Sequence, residues 1–307
     1  MAAIELEGLT KDYGEVLAND DLTFGVETGE VFGYLGPNGA GKTTTIRMLL
    51  GFIEPTAGSA RVLGHSIDDR RALVEVKRRI GYLSDEPGFD EQATGERILE
   101  LHAAVKGDER SDELLKLFEP PLERQVRDYS RGNVQKLGLV TTFMHDPDLV
   151  ILDEPTSGLD PLMKQRFAEF LRAEQQRGVT VFFSSHILSE VRRLCDRVGI
   201  IRNGRLVTID PIETLLKRSG KVVRIDSAEP IPLAAVDLEG VHDLETTVAD
   251  EAAADPDAAF TECAFTYTGD INALLARLPD HDLLDVSIEE APLEDVFLRF
   301  YGGEGDA

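Results

Sequence analysis

The residues with the clearest chemical potential form a short glycine-rich segment. In order they are Gly36, Pro37, Asn38, Gly39, Ala40, Gly41, Lys42, Thr43 and Thr44. Glycines let a backbone fold around an anion without Cβ clashes, so that successive N–H groups point at its oxygens. The segment follows an apolar run, 31–35, and precedes a helical stretch, 43–50, whose N-terminus adds partial positive charge. This order predicts a nucleotide phosphate site, in which Lys42 reaches the β- and γ-phosphates and Thr43 offers a hydroxyl to Mg²⁺.

Two carboxylates follow a second apolar run, 149–152. Asp153 and Glu154 stand at the end of this predicted strand, where open α/β sheets bind their ligands. Asp153 suits a water-mediated contact with Mg²⁺. Glu154 is placed to orient or deprotonate the water that attacks the γ-phosphate. With the phosphate loop, these residues predict hydrolysis of a nucleoside triphosphate.

The surrounding pattern predicts the elements that position these residues. Apolar runs at 149–152 and 179–183 indicate buried parallel strands, and Gly178 ends the helix between them. Strands alternating with helices indicate a doubly wound α/β fold. The dipeptide Asn203-Gly204 predicts a hairpin turn that closes the core with antiparallel strands.

Two further regions of the first part of the chain have their own patterns. The first thirty residues alternate apolar and polar side chains, which predicts a short antiparallel sheet. A helical subdomain is expected over residues 85–145.

Charge divides the 307 residues unevenly, with a total of −25. Residues 219–307 carry 21 acidic and four basic residues, a net charge of −17. This change predicts two domains, a nucleotide-binding domain over 1–218 and a small acidic α+β domain over 219–307. For the second domain, the predicted strands are 221–225, 265–268 and 284–288, the predicted helices are 272–278 and 293–300, and a flexible acidic loop is expected over 248–259.

Composition also limits the partners and the location of the protein. No apolar run approaches the roughly 20 residues that span a bilayer, and the N-terminus does not resemble a signal peptide, so a cytoplasmic protein is expected. An acidic surface repels nucleic acids and anionic lipids, so any membrane attachment is expected to run through a protein partner. With nine Lys among 32 basic residues, the composition is similar to that of proteins from salt-loving archaea.

Further segments complete a recognisable order. Residues 155–160, Pro-Thr-Ser-Gly-Leu-Asp, follow the two carboxylates, and Ser184-Ser185-His186 follow the next strand. In this order the chain resembles the ATP-binding cassette (ABC) ATPases. The resemblance implies a P-loop NTPase cassette with a mixed sheet, an antiparallel β subdomain and a helical subdomain, which binds ATP and Mg²⁺. It also implies that Tyr13 stacks on adenine, that His186 hydrogen-bonds the γ-phosphate, and that Asp160 lies in a loop contacting the opposite subunit.

The chain departs from the family pattern in two places. The usual signature Leu-Ser-Gly-Gly-Gln is replaced by Tyr-Ser-Arg-Gly-Asn at 129–133, in which Ser130 and Gly132 match and would hold the γ-phosphate of the opposite subunit. Arg131 adds a positive charge, whose partner is either that phosphate or an acidic neighbour. Asp85 stands where the family usually has Gln, and as a carboxylate it can contact Mg²⁺ or water.

The segment 85–88 and the ending 292–300 resemble the drug, antibiotic and polysaccharide exporter branch, the ABC-2 type. The resemblance implies an ATPase subunit that dimerises head to tail, as a homodimer or heterodimer, and drives a separate integral membrane permease from the cytoplasmic face. The permease is expected to dock near residue 85 and the helical subdomain. The alternatives are an importer subunit, a soluble cassette ATPase acting on ribosomes or DNA, and a regulator that binds ATP without hydrolysis. The acidic surface weighs against the second, and Glu154 and His186 weigh against the third.

Overall fold

The computed structural model describes residues 2–247, 259–279 and 281–290. The chain forms two compact units, Met1–Pro211 and Ile212–Ala307. The division therefore precedes the boundary expected at residues 218 and 219, because charge changes only after a helix that already belongs to the second unit. The predicted acidic loop, apart from its last residue Ala259, and the predicted helix 293–300 lie outside the described residues.

The strands of the first unit are β1 (Ala2–Asp12), β2 (Leu17–Glu27), β3 (Val31–Leu35), β4 (Ala57–Val62), β5 (His65–Ser66), β6 (Ile80–Leu83), β7 (Leu149–Asp153), β8 (Thr180–Ser185), β9 (Arg197–Arg202) and β10 (Arg205–Pro211). Its helices are α1 (Lys42–Leu49), α2 (Arg70–Lys77), α3 (Gly95–Lys106), α4 (Ser111–Phe118), α5 (Arg131–Phe143), α6 (Pro161–Gln176) and α7 (Leu188–Leu194). The second unit contains α8 (Ile212–Ser219), β11 (Lys221–Pro232), β12 (Val241–Thr247), β13 (Ala259–Tyr267), α9 (Ile271–Leu275) and β14 (Leu283–Glu290).

A six-stranded sheet forms the centre of the first unit, in the order β10-β9-β3-β8-β7-β6. The five strands from β9 to β6 are parallel, and β10 pairs with β9 in the antiparallel direction after the turn at Asn203-Gly204. Every residue of β3, β7 and β8 is buried, as expected for parallel strands covered on both faces. The predicted α/β core and hairpin are confirmed.

An antiparallel sheet, in the order β2-β1-β4-β5, packs on the central sheet. Aromatic rings fill the space between them: the ring centroids of Phe24 on β2 and Phe32 on β3 are 5.5 Å apart. On the same side, Tyr34 on β3 lies 5.2 Å from Phe182 on β8. The antiparallel sheet predicted from the first thirty residues is therefore correct for β1 and β2, and the structure adds β4 and β5.

Helices α3, α4 and α5 occupy the region in which a helical subdomain was predicted. Phe170 on α6 joins this region to the core, since its ring lies 5.4 Å from Phe118 on α4 and 4.8 Å from Phe143 on α5. Helix α6 ends before Gly178, whose φ of 95° is left-handed, which confirms the predicted helix end.

A group of charged side chains around a buried carboxylate connects α6 with the segments that precede α4 and follow α5. Glu174 on α6 has a side chain only 1% exposed, and both of its oxygens accept hydrogen bonds from Arg110, at 2.7 and 2.8 Å. Arg177 contacts the same carboxylate at 3.1 Å and also pairs with Asp146. Because the carboxylate is removed from water, loss of its pairing with Arg110 or Arg177 would leave a buried charge without full compensation and destabilise the fold.

The second unit is an antiparallel sheet with helices, which fits the predicted α+β class. Its strands follow the order β12-β13-β11-β14. One face of the sheet carries an apolar core that includes Val223, Ile225, Phe260 and Phe265. In neither unit do the described residues include a helix both long and apolar enough to cross a membrane.

The buried charges yield a prediction about stability. Replacement of Arg110 by Met leaves Glu174 buried with only Arg177 as its cationic partner, so the free energy of unfolding should fall by about 3 kcal/mol. Urea denaturation followed by circular dichroism measures this change. The matched control is Arg97→Met, which removes an exposed pair with Glu100 and should cost about 0.5 kcal/mol or less. Equal losses in the two variants would contradict the assignment.

Candidate active site

The glycine-rich loop joins β3 to α1, as the sequence predicts. Gly39 and Gly41 have φ values of 81° and 107°, which only glycine adopts readily. A Cβ at Gly36 would lie 2.5 Å from the carbonyl oxygen of Ile201. The N-cap of α1 is Gly41, which makes no side-chain capping bond, so the first N–H groups of the helix can face an anion.

Lys42 spans this loop. Its ammonium donates to the carbonyl oxygens of Gly36, at 2.7 Å, and Pro37, at 3.3 Å. The same nitrogen lies 3.4 Å from Oε1 of Glu154, and its side chain is only 6% exposed. The cation therefore lies between the loop and the carboxylate that follows β7.

Asp153, at the end of β7, is held by two hydroxyl groups. Thr43 donates to its Oδ2 at 2.8 Å, and Ser184 donates to its Oδ1 at 2.9 Å. Burial raises the pKa of Asp153, and these two hydrogen bonds oppose the increase. Hydroxyl and carboxylate oxygens are ligands that Mg²⁺ prefers, with phosphate oxygens and water supplying the rest. No cluster of three or more His, Cys, Asp or Glu that could hold a metal ion occurs within the described residues.

Glu154 pairs with His186. Its Oε2 and the Nδ1 of His186 are 2.8 Å apart. Its other oxygen, Oε1, is buried and accepts no hydrogen bond from any residue that the structure describes. A buried acceptor without a partner is costly, so this atom fits an incoming donor such as a water molecule.

A cavity of about 610 Å³ opens over these residues. The predicted site residues that line it are Tyr13, Pro37, Asn38, Gly39, Gly41, Lys42, Thr43, Thr44, Asp85, Asp153 and Glu154. Gly36 and Ala40 are buried beneath the loop. Tyr13 is 55% exposed, and its ring lies 5.0 Å from the Lys11 ammonium. The cavity therefore has an aromatic face at one end and a phosphate loop at the other.

Besides Gly36, Ala40 and His186, three further predicted site residues do not line this cavity. Ser130 caps α5 by accepting the N–H of Asn133 at 3.3 Å, and Asp160 caps α6 by accepting the N–H of Met163 at 2.9 Å. Gly132 lies so close to Gly158 that an added Cβ would be 2.6 Å from its carbonyl oxygen. The segment of Ser130 and Gly132 therefore lies beside the segment that leads to Asp160.

The structure assigns contacts to the residues that depart from the family pattern. Arg131 donates to Asp85 at 3.0 Å, so its partner in the free chain is an acidic neighbour. The hydroxyl of Tyr129 donates to the carbonyl oxygen of Pro121. A Cβ at Gly95 would collide with that hydroxyl. Tyr129 and Arg131 thus fasten the 129–133 segment to two other parts of the same unit.

Sequence reasoning missed several residues of the cavity, namely Val16, Leu17, Ala18, Asn203 and Gly204. The Asn203-Gly204 turn was recognised in the sequence, but its contact with the phosphate loop depends on strand order. The N–H of Gly204 donates to Ala40 at 3.0 Å, and its carbonyl accepts from Asp20 at 2.8 Å. The hairpin therefore supports the loop from one side.

Comparisons with known proteins agree with this geometry. Residues 19–157 match the sequence profile of the family described as "ABC transporter". The bacitracin transport ATP-binding protein BcrA of Bacillus licheniformis is 35% identical over 98% of this chain and 97% of its own length. The Nod factor export ATP-binding protein I of Neorhizobium galegae is 33% identical over 98% of this chain and 86% of its own length. The fold of the chain is also similar to that of the ATP-binding cassette MJ0796, whose structure is a dimer in a post-hydrolysis state bound to ADP and Pi. The TM-score is 0.62 and the sequence identity is 20%, and the match covers 68% of this chain and 98% of that chain. The chain therefore belongs to the ABC transporter family, as an ATP-binding ATPase subunit.

Proposed function

We propose that this ATPase subunit powers export through a separate integral membrane permease, with Glu154 as the general base of ATP hydrolysis. The observation that carries the chemistry is the buried Oε1 of Glu154, which accepts no hydrogen bond from the described residues, lies 3.4 Å from the Lys42 ammonium and belongs to a carboxylate paired with His186. The direction of transport is supported by the Nod factor export relative. The branch resemblance of the segment 85–88 supports the same direction.

The side chains divide the work of hydrolysis. Lys42 and the N–H groups of the loop bind and orient the phosphates. His186 holds Oε2 of Glu154, which leaves Oε1 to accept a proton from the attacking water. Thr43 and Asp153 are placed to hold Mg²⁺, which supplies charge neutralisation on the phosphate oxygens when bound. Asp85 lines the cavity and is proposed to contact the metal or its water, in competition with its bond to Arg131.

The complete site is proposed to need a second cassette. Ser130, Gly132 and Asp160 do not line the cavity of their own chain, although the family resemblance assigns them to the nucleotide site. The N-terminus of α5 and the Ser130 hydroxyl can hold a γ-phosphate presented by another chain. The dimeric MJ0796 cassette supports this arrangement. ATP would then join two chains and hydrolysis would release them.

The composition supports a high-salt environment for this complex, as in halophilic archaea. A net charge of −25 produces self-repulsion that salt screens. We therefore expect ATP turnover with Mg²⁺ to be higher in high-salt than in low-salt buffer.

Replacement of Glu154 by Gln tests the proposed hydrolysis. The amide cannot accept a proton, so ATP turnover with Mg²⁺ should fall by about 100-fold or more, while ATP binding persists. Because the bridging nucleotide is no longer consumed, light scattering should show an ATP-stabilised dimer. Glu7→Gln, on an exposed position of β1, is the control and should keep wild-type turnover. Undiminished hydrolysis in Glu154→Gln would refute the role of general base.

A groove on the first unit is proposed as the permease docking surface. It has a volume of about 1080 Å³ and is lined mainly by residues 51–58 and 67–77. Phe52 and Val74, which both line this groove, are each 57% exposed. The ring of Phe52 lies 5.9 Å from Tyr82 on β6, the strand that leads to Asp85. A partner bound here would contact an element that ends at the nucleotide cavity.

A photoreactive side chain at Phe52 tests this surface. With Phe52→p-benzoylphenylalanine, in membranes that contain the whole transporter, irradiation should cross-link the chain to a polytopic membrane protein, because the ring is exposed in the groove. The same group at Glu7 is the control and should give no such product. Equal cross-linking at both positions, or none at Phe52, would contradict this docking surface.

We propose that the acidic second unit flanks the dimer or regulates it, and that it is not needed to bind ATP. Each unit has its own core, and the residues that line the nucleotide cavity all lie before Pro211. A chain that ends at Pro211 should therefore bind a fluorescent ATP analogue with an affinity within about twofold of the full chain. A truncated chain that is folded by circular dichroism but binds at least tenfold more weakly would disprove this independence.

A further inference from the structure

Glu190, on α7, makes a set of contacts that the hydrolysis scheme above does not use. Its Oε2 accepts hydrogen bonds from Thr156, at 2.6 Å, and Ser185, at 3.3 Å. Its Oε1 accepts from Lys164, at 2.8 Å. The side chain is only 12% exposed. One nearly buried carboxylate thus holds three donors from three separate segments.

Two of these donors flank the residues proposed to act on water. Thr156 lies two positions after Glu154 and is 3% exposed. Ser185 immediately precedes His186, and its hydroxyl also accepts the N–H of Ile187 at 2.9 Å. Through this chain of bonds, Glu190 holds the backbone on both sides of His186 and connects it to the segment that follows Glu154.

Glu154 needs such support because its backbone is strained. Its φ of 52° is left-handed, a conformation that a side chain with a Cβ disfavours. Its N–H donates to Ser184 at 3.1 Å, and its carbonyl accepts from Ser157 at 3.1 Å. The Gln135 amide holds the carbonyl of Pro155 at 2.9 Å. Strained residues persist only where several contacts determine them. The Thr156–Glu190 hydrogen bond fixes the residue that follows Pro155, and it is therefore a further contact that holds this segment.

We propose that Glu190 is a positioning residue for ATP hydrolysis, whose carboxylate clasps the segment after Glu154 to the segment that carries His186. Glu190 is not among the residues that line the nucleotide cavity. It acts by fixing the Glu154–His186 pair, so the inference rests on the proposed role of Glu154. Lys164 neutralises the charge of Glu190. The negative charge is therefore balanced locally, and the Oε2 atom remains available to both hydroxyls.

The Thr156–Glu190 bond can be removed without changing side-chain volume. Thr156→Val deletes the hydroxyl, which should lower kcat about 10-fold, less than the roughly 100-fold that a 1 Å misplacement of reacting groups can cost. KM for ATP should stay within about twofold, because the phosphate loop is untouched. Thr156→Ser keeps the hydroxyl and should restore most of kcat. Thr141→Val, which removes another buried hydroxyl bonded to Gly138 on α5, is the control and should leave kcat unchanged.

A second variant tests the acceptor. Glu190→Gln keeps the size of the side chain but replaces one acceptor oxygen by an amide that donates, so it should also lower kcat with little change in KM. Combined with Thr156→Val, it should add little further loss, since both changes break the same bond. Binding of an ATP analogue to each variant verifies that the cassette is folded.

The outcomes separate this inference from the proposed function. If Thr156→Val and Glu190→Gln keep the wild-type kcat while Glu154→Gln is inactive, only the positioning role of Glu190 is overturned. Equal losses in Thr156→Ser and Thr156→Val would also overturn it, because the effect would then follow side-chain shape. Undiminished turnover in Glu154→Gln would overturn the proposed general-base role of Glu154 and, with it, the positioning role of Glu190.

Discussion

The in-register pairing of three parallel strands is the constraint on which the site depends. Leu35 on β3 pairs with Ser185 on β8, and Ser184 pairs with Asp153 on β7. The ladder continues past the strands, since Gly36 donates to Ser185 at 3.3 Å and Glu154 donates to Ser184 at 3.1 Å. Gly36 of the phosphate loop, Glu154, which is the proposed general base, and His186 therefore directly follow three neighbouring strands. A shift of one strand by one residue would turn its side chains to the opposite face and separate these groups.

This arrangement places charged groups where water is scarce, and the surrounding contacts offset the cost. Asp153 is 2% exposed, and burial raises its pKa. The two hydroxyl hydrogen bonds favour the charged form, which metal binding requires. Oε1 of Glu154 is the exception, because no hydrogen bond to it is found among the described residues, although the Lys42 ammonium lies 3.4 Å away. The polar groups that hold the site in place are hydrogen-bonded within the chain, whereas the atom proposed to react is only ion-paired.

Features of the fold and the site could be predicted from the sequence where they depend on residues close together in the chain, and could not where they depend on residues far apart. The strand, loop and helix around Lys42 follow from local spacing, and Asp153 and Glu154 follow from the end of an apolar run. The contact between Arg131 and Asp85 joins residues 46 positions apart, and nothing in either segment indicates it. The same holds for Glu190, which lies 34 residues from Thr156. The sequence around Glu190 does not distinguish it from the other residues of α7. Long-range polar contacts depend on strand order and helix packing, which spacing alone does not specify.

Salt gives the charged contacts of this chain different weights. At an ionic strength of about 1 M the screening length is about 3 Å, so repulsion among dispersed carboxylates largely disappears. Pairs in direct contact lose less, and buried pairs lose least. The Arg110–Glu174 pair, with side chains 10% and 1% exposed, is therefore screened much less by salt than the surface charges are. The exposed Arg131–Asp85 pair contributes about 1 kcal/mol at most. This pair is thus weak enough to be exchanged when a phosphate or a second chain approaches. Such an exchange is needed if the proposed dimer opens and closes in each cycle, because the 129–133 segment of one chain must then bind and release the nucleotide of the other.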